Sequence, residues 1–172
     1  MSIDLPPIAE ADRDTYNWFP TNLVRMMLRT KSVAKPYLQL GITFRDTYID
    51  ARTRESVIVR VGGLAGSAYE LMQHRDIAVS VGIPEQTVTR LSDPTIGSFG
   101  DDRLDALTAF VDASVGSIGK TGEAPLKRLR QHYTDNEVAE IAMLIGHYVM
   151  TAIFLNAMEV PLDDGPGVWP TT

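Results

Sequence analysis

The run from Thr134 to Met158 limits the folds open to this chain more than any other segment. It opens on Thr134-Asp135-Asn136-Glu137. There a threonine hydroxyl and a glutamate three residues on can satisfy each other's free backbone N–H groups, the mark of a helix N-terminus. Behind it Val138, Ile141, Ala142, Leu144, Ile145, Val149, Ile153 and Leu155 recur at helical spacing and cover most of the circumference. A helix apolar nearly all round has no stable place on the surface of a small monomer. The pattern therefore predicts a helix over 135–158 at the centre of a bundle or across a boundary between subunits.

The remaining punctuation is helical too. From Thr21, the residues Leu23, Val24, Met27 and Leu28 keep a helical period, and Pro36 opens or bends a segment with Tyr37, Leu38, Leu40, Ile42 and Phe44. Asp50 or Thr53 can cap a helix from Ala51 to Leu64, with Val57, Ile58 and Val61 inward and Gly62, Gly63 and Gly66 read as its end. A second helix is expected from Ser67 to Val81, stopped by Gly82, with Ile83-Pro84-Glu85 starting a short one. After a surface loop over 91–100, Asp101 or Asp102 begins a helix with Leu104, Leu107, Phe110, Val111 and Val115 inward, followed by a loop over 116–125. No stretch alternates with period two, so the fold class is all-α. Residues 1–20 read as an extended arm ending in Tyr16, Trp18, Phe19 and Pro20. Residues 21–160 read as the helical domain, and 161–172, rich in Pro, Gly and Asp, as a tail.

At 172 residues and 44% hydrophobic, the chain is long enough for one domain with a real core. A formal net charge of −6 argues against nucleic acid or an anionic membrane surface as a partner. No uncharged apolar run reaches the roughly 20 residues of a membrane span, and Met1–Pro7 has no signal-like pattern, so a cytoplasmic location is expected. The chain has no cysteine, which removes disulfides, thiolate metal sites and thiol-based peroxidase or transfer chemistry. The three histidines, His74, His132 and His147, show no metal-ligand spacing, so neither a metal nor a cofactor is expected.

Chemistry concentrates in Ser67-Ala68-Tyr69-Glu70-Leu71-Met72-Gln73-His74. On a helix, Ser67, Glu70 and His74 stand at i, i+3 and i+7 and share one face. A hydroxyl, a carboxylate and an imidazole on one stripe can handle protons, because imidazole titrates near neutrality and a close carboxylate orients it. The same spacing also serves a surface pair or a satisfied core histidine. Tyr69 and Gln73 flank the stripe by one helical step and fit packing better than chemistry, with Tyr69 kept as a substrate contact. His147, beside Tyr148 on the apolar helix, is either a buried histidine held by one partner or part of a pocket wall. His132 stands in the basic run Lys127-Arg128-Leu129-Arg130, the composition of a solvated face.

The segment Arg54-Glu55 through Leu64 resembles the carboxymuconolactone decarboxylase and alkylhydroperoxidase D family. So do Tyr69-Glu70-x-x-x-His74, Ile77-Ala78, Gly82-Ile83, Thr134-x-x-Glu137-x-x-Glu140-Ile141 and Ile145-Gly146-His147-Tyr148. The likeness covers residues 20–160. It implies an all-helical bundle assembling into trimers or hexamers. In the peroxidase branch a proton-relay glutamate precedes two cysteines, and a histidine follows; here those positions fall on Glu55, Ser67, Glu70 and His74. The relay residues are kept and both sulfurs are gone, so the peroxidase activity is not expected. What the resemblance implies instead is a cofactor-free lyase or isomerase acting by acid–base chemistry on a carboxylated lactone or related carbon acid. In that reading His74, Glu70 and Glu55 are catalytic, Ser67, Tyr69 and His147 contact substrate, and one of Arg45, Arg54, Arg60 or Arg75 pairs with an anionic substrate. The alternative is a non-catalytic or redox-accessory member in which the same groups only stabilise a polar core. A closed pocket with perturbed groups would favour the first, full pairing without space the second.

Overall fold

A computed structural model describes residues 3–117 and 120–165. Its described residues form nine α-helices and no strand: α1 (Arg13–Trp18), α2 (Asn22–Met27), α3 (Ala34–Thr43), α4 (Ala51–Leu64), α5 (Ala68–Ser80), α6 (Glu85–Leu91), α7 (Asp102–Gly116), α8 (Glu123–Leu129) and α9 (Asp135–Ala157). The arm expected to be extended over 1–20 carries a 3-10 turn at Glu10–Asp12 and then α1. Acidic side chains in these first turns suit the positive end of a helix.

Caps explain most boundaries. The side chains of Thr21, Asp50, Ser67, Asp101 and Thr134 each accept a backbone N–H of the first turn of the helix that follows. The reciprocal box of Thr134 with Glu137 is complete. The glycines after α4 differ from expectation. Gly62 and Gly63 lie inside the helix, and only Gly66, at φ +60°, takes the left-handed conformation that closes it. Gly63 stays in place because a Cβ there would come within 2.5 Å of the Ser92 carbonyl oxygen.

The hub is α4 rather than α9. It packs against α5, α6, α7 and α9 and buries nine of its fourteen residues. One face of α9 joins this core through Val138, Ile141, Leu144, Ile145 and Tyr148, packed with Val57, Ile58, Val61, Leu107 and Phe110. Its other face leaves Met143, Met150 and Ile153 exposed by 59%, 46% and 61%. By length and composition α9 is apolar enough to cross a membrane, and half of its most apolar window is buried within the protein. A second cluster, Phe19, Val24, Met27, Tyr37 and Leu38, seats α2 and α3 over the meeting of α5 and α9.

Candidate functional site

The site forms where α4, α5 and α9 meet under α2 and α3. The turn at Gly66 and the Ser67 cap set α5 back against α4, and this brings Glu55 opposite His74. The Glu55 Oε2 lies 2.9 Å from His74 Nδ1, with both side chains buried. The other carboxylate oxygen accepts from Arg54 Nε at 3.0 Å. Burial alone would raise the Glu55 pKa, but His74 and Arg54 together hold it below the usual value. An ionised Glu55 can only accept, so His74 Nδ1 carries a proton toward it. The Tyr148 hydroxyl is hydrogen-bonded to Nε2 across 3.3 Å. Carboxylate, imidazole and phenol thus form one oriented chain.

Glu70 differs. It is 2% exposed, like Glu55, yet neither of its carboxyl oxygens has a hydrogen-bond partner. Burial pushes its pKa up to about 8, against a smaller lowering from the neighbouring Ser67. At neutral pH it is a neutral carboxylic acid able to donate a proton. His147 is the base-side counterpart. Its ring stacks on Tyr37 (centroids 4.6 Å apart, 18° between planes) and meets Tyr148 edge-on. Its buried Nδ1 has no partner, and burial, with His74 nearby, lowers its pKa to about 4. Thr151 donates to the His147 carbonyl at 2.8 Å, so the Tyr37 hydroxyl donates to Thr151 Oγ1 at 2.7 Å.

Tyr37, Glu70, His74, His147, Tyr148 and Thr151 line a cavity of about 40 Å³, with Glu55 outside the lining, against the roughly 10–15 Å³ that one water needs. Glu70, Gln73, His74, His147 and Tyr148 supply its polar floor, and Phe19, Leu23, Val24, Tyr37, Leu38 and Leu155 its apolar walls and roof. No lysine or arginine lines it. The N-terminal wall is tied down at two points: Leu23 N–H donates to the Tyr69 hydroxyl at 3.1 Å and Asn22 N–H to Asp163 Oδ1 at 2.7 Å. Asp163 also receives the Tyr69 hydroxyl and, at 2.7 Å, Gln73 Nε2. Among the described residues no group of three or more His, Asp or Glu side chains is arranged to hold a metal ion.

The structure therefore brings Glu55, Glu70, His74 and His147 together. Ser67 stands beside Glu70 but outside the cavity lining: its hydroxyl is fully buried at the N-cap of α5, accepting from Glu70 N–H at 3.4 Å. Its role is to start the helix. Tyr69 lines the cavity, but its hydroxyl is spent on Leu23 and Asp163. Of the arginines, Arg54 pairs with Glu55, Arg60 with Asp112, and Arg75 donates to Ser92, all outside the cavity lining. Sequence reasoning assigned Gln73 to packing and missed Tyr37, Thr151 and Asp163. For Gln73 the signal was present, since Tyr69 and Gln73 at i and i+4 form one broad face with Glu70 and His74. Asp163 gave none, because a carboxylate in a Pro/Gly-rich segment reads as solvated.

No family model and no curated protein matches the chain. Solved structures do. A peroxidase-related protein from Silicibacter sp. aligns with a TM-score of 0.81 at 17% identity, covering 94% of this chain and 91% of its own. An alkylhydroperoxidase AhpD core protein from Ralstonia eutropha aligns at 0.80 and 14%, covering 95% and 94%. The debrominase Bmp8, a Cys-to-Ala variant in complex with 2,3,4-tribromopyrrole, aligns at 0.75 and 16%, covering 95% and 93%. At these identities the likeness shows the fold: this chain has the AhpD-like all-helical architecture.

Proposed function

We propose that the protein is an acid–base enzyme that moves a proton on a small carbon acid. His74 Nε2 is the base and Glu70 the acid. One observation carries the reading: an oriented imidazole and an unpartnered neutral carboxyl share one buried cavity. Glu55 fixes the His74 tautomer and stabilises the imidazolium that forms when Nε2 takes a proton from carbon. Glu70 donates to the carbonyl oxygen that gains charge; the imidazolium then gives its proton to a second carbon while the enol O–H returns to Glu70, which completes an isomerisation. The carboxylated lactone of the decarboxylase branch is the less favoured substrate, because the cavity offers its carboxylate no cation. A merely structural role is disfavoured by the unmet oxygens of Glu70, since a polar core kept for stability has its hydrogen bonds made. That one structural neighbour is a debrominase supports catalysis on this fold by analogy only.

The test is proton exchange. In D₂O the protein should exchange C–H protons next to the carbonyl of cyclic unsaturated lactones and ketones, followed by NMR. Substituting His74→Gln or Glu70→Gln should lower the rate about 10²–10⁴-fold, and the rate should fall as pH rises through about 8, where Glu70 loses its proton. Retention of the rate in both variants would end the assignment. Hydroperoxide turnover with a dithiol reductant should be absent.

The exposed stripe of Met143, Met150 and Ile153 on α9 supports a further part of the reading, a homo-oligomer closed by this face. Light scattering at micromolar concentration should give a multiple of 19.0 kDa.

A further inference from the structure

The four buried side-chain atoms without a hydrogen-bond partner among the described residues are Glu70 Oε1 and Oε2, Gln73 Oε1 and His147 Nδ1. All three residues line the same cavity, and each is at most 5% exposed. Elsewhere buried polar groups are met, even a buried guanidinium, so this concentration is not general looseness. A buried polar atom left unpaired costs free energy unless a bound molecule completes it.

The chemistry of that molecule follows from orientation. A primary amide has a donor end and an acceptor end. Asp163 is a carboxylate and can only accept, and Gln73 Nε2 donates to it at 2.7 Å. The amide is thereby locked with its nitrogen outward, and Oε1 is a fixed acceptor in the cavity wall. An occupant must bring an O–H or N–H to it. Negative charge is excluded by the surroundings: no lysine or arginine lines the cavity, and an anion would lie beside the Glu70 carboxyl in apolar walls. Positive charge is disfavoured on similar grounds, for Glu70 would be its one acidic counter-group in the lining.

We propose that the cavity takes an uncharged, largely apolar small molecule that donates an O–H or N–H hydrogen bond to Gln73 Oε1, with Asp163 as the residue that positions the Gln73 amide. This deepens the acid–base reading by naming the substrate class of the same site, but binding can be tested apart from turnover. Because the cavity as it stands holds only a few waters, its walls must move apart to admit such a molecule.

The experiment uses four probes of similar shape, phenol, toluene, benzoate and benzylamine, titrated against the full chain by calorimetry at pH 7. Phenol is expected to bind tightest, with toluene about tenfold weaker for want of the donor and the two charged probes weaker still. Gln73→Met, of similar length, should bring phenol down to the toluene level and leave toluene unchanged. Asp163→Asn, which frees the amide to turn, should weaken phenol by a smaller factor. Benzoate or benzylamine binding as tightly as phenol would overturn the proposal. So would failure of all four to bind, or a phenol-to-toluene ratio that Gln73→Met does not change. The wild-type ranking stands as a test even if a variant folds poorly. Proton-exchange activity without this ranking would sink the ligand class and leave the acid–base reading; the ranking without exchange would do the reverse.

Discussion

Helix α4 carries a buried charge into each of two regions, and the two are built differently. On one side Arg60, 1% exposed, uses all its donors. Nε and Nη2 reach the two oxygens of Asp112 at 2.6 Å each, and the remaining N–H groups reach the carbonyls of Leu91, Asp93 and Ile96. The guanidinium ties α7 and the 91–96 loop to the hub and leaves nothing to offer a ligand. On the other side Glu55 and His74 are paired just as closely, while a helix turn or less away Glu70, Gln73 and His147 hold unmet polar atoms. Arg60 is as deeply buried as Glu55, although its partner Asp112 is 34% exposed. The difference lies in satisfaction, and it separates a charge kept for architecture from groups kept for something that comes and goes.

The largest effect should come from breaking the satisfied region. Arg60→Met leaves Asp112 without its partner and removes the donors to three backbone carbonyls, so it is expected to destabilise by about 1–3 kcal/mol, measured by urea denaturation. Proton exchange per folded molecule should be unaffected. A neutral outcome would mean that the loop and α7 are held by apolar contacts, and that satisfaction does not mark architecture here.

The unsatisfied region should respond oppositely. Burial raises the folded-state pKa of Glu70 to about 8 from the ordinary carboxylate value of 4.5. Its contribution to stability is therefore fully present below about 4.5, declines as pH rises, and is lost on passing through about 8. Glu70→Gln removes this dependence. The variant should match the wild type near pH 4.5 and exceed it at pH 8, by an amount on the order of a few kcal/mol. Parallel pH profiles for the two proteins would show that the carboxyl is solvated or paired.

His147 gives the mirror image on a smaller scale. Its folded pKa is lowered to about 4 from 6.5, so the folded state resists protonation. Stability is present above about 6.5 and is lost as pH falls through about 4. His147→Gln should flatten that limb of the urea midpoint profile and leave the Glu70 limb intact. If both limbs vanish together, the two groups are coupled through the cavity and cannot be treated separately.

The two regions were not equally legible in the sequence. The bounds of α4 and α5 follow from Asp50, Ser67, Gly66 and Gly82, local signals that need no tertiary knowledge. Glu70 and His74 share a helix, so their common face could be read from spacing. Glu55 could be joined to them only through the family resemblance, since nothing local says which residue of one helix meets which of the next. The same limit hid Arg60, which reads as an exposed charge, and Asp163, whose partners lie 90 or more positions away. It also hid the reason for Gly63, a close approach to the Ser92 backbone. The place of α9 reads from the sequence as a bundle centre or a subunit boundary, and a single copy of the chain covers only one of its faces.

The smallest test acts on the cavity wall itself. Gly41 lies within α3, where a Cβ would meet His147 Nε2 at 3.4 Å and Cε1 at 3.8 Å, at the near edge of ordinary van der Waals contact. Alanine is the better helix former by about 0.5–1 kcal/mol, and nothing polar is lost by the change. Gly41→Ala is therefore expected to raise stability slightly, independent of pH, while its methyl narrows the space beside His147 and weakens phenol binding. The two readouts separate cleanly. A gain in stability with weaker phenol binding fits a wall that is open because a ligand uses the room. A loss of more than about 1 kcal/mol, the scale of overpacking, would mean that His147 is already wedged against α3. The unsatisfied region would then have no space to give, and the contrast with the Arg60 side would reduce to a buried imidazole with a missing hydrogen bond.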